Sequence, residues 1–157
     1  MNFPPTSQAP PNAAQDEYLR LLLLSYESLV GTPLMPPSHK ALSERMWEAP
    51  FVLVAHGTEE DPLFCYGNAQ ALKLWELTWE DFYAMPSRYT AEEGERDDRA
   101  RLLQDVSEKG FCDNYNGKRV SRSGRRFRIS NATVFNLYDS SKEYMGQAAT
   151  FTRWEYL

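Results

Sequence analysis

Apolar residues fall into three regimes along this chain. Between residues 15 and 30 they crowd together (Tyr18, Leu19, an unbroken run over 21–24, Tyr26, Leu29 and Val30) until Gly31-Thr32-Pro33 stops them. That density predicts one helix that is apolar over much of its circumference and must be covered on more than one side. A proline-rich linker, TPLMPPSH, leads into a short helix expected over residues 40–47. From Ala49 the runs shorten: PFVLVAHG reads as a buried strand closed by the polar turn GTEEDP, and LFCY as a second short strand. Asn68 stands where it caps a helix reaching Leu74, and Thr78 with Asp81 has the spacing of a capping box for another. Thr90 with Glu93 repeats that spacing ahead of a charged helix over 91–109, whose thin apolar stripe is Leu102, Leu103 and Val106 and which Gly110 ends.

Beyond Gly110 the chain reads as β. FCDNYNGKRVS, RRFRISNATVFNLY and YMGQAATFTRW are three strands joined by hairpin-type turns at RSG and DSSKE. The order β-β-α-α-α-β-β-β predicts an α+β domain with one antiparallel five-stranded sheet, helices on one face, and the N-terminal helix in addition. Three segments are expected: a disordered N-terminus over 1–14, a helical extension with its proline-rich linker over 15–47, and a globular domain over 48–157. The N-terminal helix is expected to pack on the outer side of the sheet, where Ala132 and Val134 point, and to help form a homodimer.

Composition narrows the function class. At 157 residues the chain is long enough to fold around its own core without disulfide or metal. A net charge of −5 argues against direct binding to nucleic acid or to an anionic membrane surface. Cys65 and Cys112 make no disulfide framework. The first residues carry no basic and apolar signal pattern, and the apolar run over 21–24 is too short to span a bilayer, so a cytoplasmic protein is expected.

Catalytic and metal-binding constellations are missing. There is no phosphate-binding glycine loop, no GxSxG and no HExxH, and His39, His56, Cys65 and Cys112 have no zinc-like spacing. No metal site is expected. The basic residues Lys118, Arg119, Arg122, Arg125, Arg126 and Arg128 crowd one hairpin, either as an anion or partner site or, the favoured reading, as a solvated rim that neutralises the acidic helix.

The blocks FCYGNAQALKLWELTWEDF, MPSRYTAEEGERDDR, NYNGKRVSRSGRRFRISNATVFNLYD and GQAATFTRW, in that order, resemble the MEKHLA family, which is PAS-like. The likeness covers about residues 49–157 and extends more weakly to the N-terminal helix. The family occurs as small stand-alone bacterial proteins and at the C-terminus of plant class III homeodomain–leucine zipper factors. This sequence is similar to the stand-alone type, having no homeodomain, basic region or heptads. What the resemblance implies is a sensory or regulatory module, not an enzyme. PAS relatives hold cofactors between sheet and helices. Here MPSRYTAEE lacks the cysteine that a flavin adduct needs and residues 91–109 lack the histidine that haem needs, so neither cofactor is expected.

The pocket residues follow from strand parity. Alternation in RRFRISNATVFNL puts Phe127, Ile129, Asn131, Thr133 and Phe135 on one face, the more continuously apolar one, which is therefore turned toward the helices. Asn131 and Thr133 are then polar groups expected to orient a small, largely apolar ligand. Trp75 and Trp79 share a helical face and form a wall. Tyr115, Gln147, Ser87 and Arg88 complete the candidates. Three functions compete: a ligand-binding sensory module, a pure interaction or dimerisation module with a filled core, and a small enzyme using Asp113 or Tyr115 as acid or base.

Overall fold

The computed structural model describes residues 6–90 and 96–157, with residues 96–99 and 101 described by their backbone only. The expected Thr90–Glu93 cap and the first turn of the helix expected over 91–109 lie outside the described residues. The elements are α1 (Asp16–Val30), α2 (Leu42–Trp47), β1 (Val52–His56), β2 (Phe64–Gly67), α3 (Ala69–Trp75), α4 (Trp79–Phe82), a 3-10 turn (Ser87–Thr90), α5 (Arg96–Lys109), β3 (Phe111–Val120), β4 (Arg126–Tyr138), β5 (Tyr144–Phe151) and β6 (Arg153–Tyr156). All strands pair antiparallel in the order β2-β1-β5-β4-β3, and β6 runs beside β4. Six strands stand where five were expected because a bend at Thr152 splits the last one.

α1 stops at Gly31, whose φ of 93° is left-handed and whose N–H bonds to the Glu27 carbonyl. It buries one stripe, with Tyr18, Leu19 and Leu22 wholly inaccessible. The Tyr26 ring meets Phe135 edge-on at 5.1 Å, the Tyr18 hydroxyl lies 3.3 Å from Cys65 Sγ, and Ser25 Oγ accepts from the Tyr138 N–H at 3.0 Å. The helix therefore covers the sheet face opposite α5. Residues 6–14, expected as disordered, make specific contacts instead: the Ser7 carbonyl accepts from Trp79 Nε1 at 2.6 Å, and the Asn12 side chain caps the turn before α1.

One irregularity fixes which residues face α5. β4 places Ser130 and Asn131 opposite the single residue Asn116 of β3, since Gly117 pairs with Ile129 and Tyr115 with Ala132. This β-bulge leaves Asn131 exposed at φ 57°, its N–H bonded to Asn116 Oδ1 at 3.1 Å. The extra residue inverts the alternation. Phe127 and Ile129 face the helices before it; Ala132 and Val134 do so after it, and Thr133 and Phe135 turn to the α1 side. The expected parity is thus corrected for Asn131 and Thr133, and α1 meets Phe135 rather than Ala132 and Val134. The bend at Thr152 carries the same inversion into the neighbouring strand, and a matching bulge at Asn114 (φ 55°) carries it into β3.

α3 ends at Glu76, whose left-handed φ of 60° aims its carboxylate at the β3–β4 turn. Oε2 accepts from Ser121 Oγ and Ser123 Oγ, both at 2.5 Å, and from the Ser123 N–H at 3.2 Å. The Ser121 hydroxyl first, then the Ser123 hydroxyl and N–H, hold this carboxyl below its ordinary range. A lowered carboxyl pKa contributes stability above the unfolded pKa and loses it as pH falls through the folded one. Glu76→Gln is expected to speed amide exchange in the turn over 121–125 at neutral pH, and wild type should approach the variant on acidification. Equal exchange at neutral pH overturns this.

Candidate functional site

Between the sheet and α5 lies a cavity of about 70 Å³. Ile129, Ala132 and Val134 of β4, Ala149 and Phe151 of β5, Val54 of β1 and Phe64 of β2 form its apolar floor. Leu102 and Leu103 of α5 roof it, and Trp75 closes the α3 side. The ring of Trp75 packs edge-on against Phe127 at 5.5 Å and Phe151 at 6.2 Å.

At one end stand Tyr115 and Arg119, two residues apart from Gly117 on either side along one face of β3. Arg119 is only 8% exposed. Its Nη1 donates to the Lys118 carbonyl at 2.7 Å and its Nη2 to the Tyr115 hydroxyl at 2.9 Å. Trp75 Nε1 is buried and finds no acceptor among the described residues.

At the other end His56, Ser87, Leu103 and Gln147 line both this cavity and an open cleft of about 600 Å³. His56 Nδ1 donates to the Gly57 carbonyl at 2.9 Å. Gln147 Nε2 donates to Asn136 Oδ1 at 3.2 Å, and Asn136 Nδ2 to the Val106 carbonyl at 3.2 Å, a strut joining β5, β4 and α5.

Of the residues expected at the site, Trp75, Tyr115, Ile129, Gln147 and Ser87 converge on the cavity. Phe127 stands behind Trp75. Arg88 is exposed, lines the outer cleft and pairs with Asp61 at 3.1 Å. Asn131 and Thr133 do not line the cavity, because the bulge turns them away. Trp79 instead packs with Tyr66 and Phe82. Sequence reasoning passed over Arg119, grouping it with a solvated rim. Arg122 does belong to that rim, paired with Asp81, and Arg125 stacks over Tyr156. The signal for Arg119 was the spacing Tyr115-x-Gly117-x-Arg119 on one strand face.

Neither cysteine lines the cavity. Burial pushes the Cys65 thiol up to about 12, so it is not a nucleophile at neutral pH. With no thiol on its wall and a volume far below the roughly 300–1,000 Å³ of pockets that engulf drug-sized molecules, the cavity does not fit a flavin. Asp113, one acid considered for catalysis, is exposed and outside the cavity lining. No group of three or more acidic, histidine or cysteine side chains among the described residues could hold a metal ion, and no described helix is long and apolar enough to cross a membrane.

The sequence matches the MEKHLA domain over residues 16–156, which begins at the first residue of α1. No curated protein matches it. Among solved structures it is similar to the PAS domain of a protein from Colwellia psychrerythraea (10% identity, 73% of this chain and 92% of that one, TM-score 0.61). It is likewise similar to the light-state dimer of the fungal blue-light photoreceptor Vivid (12% identity, 90% and 95%, TM-score 0.62). A light-oxygen-voltage domain studied with a flavin analogue gives 12% identity, 76% and 86% coverage and a TM-score of 0.59. At these identities the likeness is one of fold.

Proposed function

This chain belongs to the MEKHLA domain family, and we propose that it is a non-catalytic, PAS-like sensory or regulatory module of the cytoplasm. Its cavity takes a small, largely apolar ligand, and the response passes to a protein partner or a second copy. The observation that carries this reading is the apolar cavity under α5, which shares His56, Ser87 and Gln147 with the outer cleft and has Trp75, with its unspent indole N–H, among its lining residues. A buried donor left unpaired costs about 1–3 kcal/mol, which an acceptor on a ligand recovers. α5 is the element placed to respond, since it touches the cavity through Leu102 and Leu103 and is tied to β4 through Asn136.

A second reading, an interaction or dimerisation module without ligand, draws support from the smallness of the cavity and from Leu24, 55% exposed on α1. Native mass spectrometry of the purified protein, set against its denatured mass, separates the two. The expected result is a colourless protein carrying a small non-covalent mass. A stoichiometric flavin or haem absorption band overturns the cofactor-free reading. A bare mass, with no melting shift from any small molecule, leaves the interaction module. In that case Leu24→Glu should halve the mass found by light scattering without lowering the melting temperature.

A further inference from the structure

We infer that the Tyr115–Arg119 end of the cavity is a carboxylate site, and that the ligand is a short-chain organic acid whose hydrocarbon end points toward the His56–Gln147 lip. This rests on the reading that the cavity holds a ligand. The argument starts from the cost of burying a cation. A guanidinium removed from water loses several kcal/mol of solvation, which neutral acceptors replace poorly and a carboxylate replaces well. Arg119 is 8% exposed, yet its described partners are one backbone carbonyl and one phenol, leaving most of its five donors unspent. No described carboxylate pairs with it.

The neighbouring groups are of the same kind. The Tyr115 hydroxyl accepts from Arg119 and donates to no described group, and Trp75 Nε1–H has no described acceptor. Arg119 and Tyr115 therefore present donors at this end, and Trp75 adds one on the α3 side of the cavity. The strand is shaped to keep them there. A Cβ on Gly117 would stand 2.5 Å from Tyr115 Oη and 3.0 Å from Arg119 Nη1, so any larger residue would push the ends of the two side chains from where they now meet over the backbone. Beyond the donors the wall is hydrocarbon, from Ile129, Val134, Ala149 and Phe151. An acid head and a short aliphatic tail match that sequence of surfaces.

The test is thermal melting of the full chain with butyrate and hexanoate, each compared with its primary amide and with sodium chloride at equal ionic strength. At a hundredfold excess over Kd the acids should raise the wild-type melting temperature by roughly 5–10 °C, and the amides much less. Arg119→Met should abolish the response to the acids while melting, without ligand, no lower than wild type. Tyr115→Phe should keep the fold and weaken acid binding about tenfold, the worth of one hydrogen bond. Acids and amides acting equally on wild type overturn the carboxylate site and leave the ligand cavity standing. If neither class shifts wild type, the carboxylate site falls, and native mass spectrometry decides whether the cavity holds another ligand. An Arg119→Met protein that melts lower but keeps its acid response, or a Tyr115→Phe protein with unchanged affinity, overturns the role given to this pair.

Discussion

A chain lacking residues 1–37 is expected to lose cooperative folding. The truncation removes Tyr18, Leu19 and Leu22, each wholly buried, and at about 1.5–3 kcal/mol per side chain their burial is worth roughly 5–9 kcal/mol. It also uncovers Phe135 and Leu137 on the face that α1 occupies, and removes the Ser25 hydroxyl from the Tyr138 backbone. The net stability of a domain is about 5–15 kcal/mol, so the loss is comparable with the whole. Near-ultraviolet circular dichroism should flatten and dye binding to exposed apolar surface should rise. Leu22→Ala, a milder form of the same lesion, should cost about 2–5 kcal/mol in urea unfolding. A truncated chain with the wild-type midpoint would sink the view that α1 belongs to the core and is no appendage.

The second large effect is expected at Asn68, the residue that sequence reading singled out as a helix cap. Its Oδ1 does accept from the Ala71 N–H at 3.2 Å, which opens α3. The same oxygen also accepts from the Leu53 N–H at 3.1 Å, and Nδ2 donates to the carbonyls of Met46 at 3.2 Å and Phe51 at 2.8 Å. One fully buried amide therefore joins the end of α2, the start of β1 and the first turn of α3. Asn68→Leu leaves four backbone groups without that partner, and is expected to cost about 4 kcal/mol or more. Asn68→Asp keeps the acceptor but sets a carboxylate oxygen against two carbonyls. Repulsion and burial raise its pKa, so the variant should gain stability as pH falls and its carboxyl takes up a proton. A leucine variant within 1 kcal/mol of wild type, or an aspartate variant with no gain on acidification, would remove the structural weight given to this side chain.

Why was the cap legible and the site only in part? Asn68 announces itself by position, between a strand and a helix, and capping is local chemistry. Element order is local too, so the α+β sheet, the helices and the likeness to the MEKHLA family could be read along the chain. Trp75 does line the cavity, but its spacing to Trp79 was no guide: α3 ends at Trp75 and Trp79 opens α4, so the two share no helix face. Strand parity is different. It holds only until one residue is inserted, and a single bulge inverts every position after it. Asn131 is one of the residues that accept a left-handed backbone at small cost, as does Asn114 in β3. Those two asparagines were the available sign.

Sequence alone thus determined the elements (the split of the last strand apart), their order and the capping of α3, because each rests on interactions between near neighbours. Tertiary structure decided the rest. Pairing of β4 with β3 left Asn131 outside the ladder and turned Asn131 and Thr133 from the cavity, bringing Ala132 and Val134 in. The same pairing took Arg119 out of a basic hairpin rim and set it beside Tyr115 over Gly117. Which face of a strand is buried, and whether an arginine on it is solvated or enclosed, depends on register with a distant segment, and register is not a property of either strand alone.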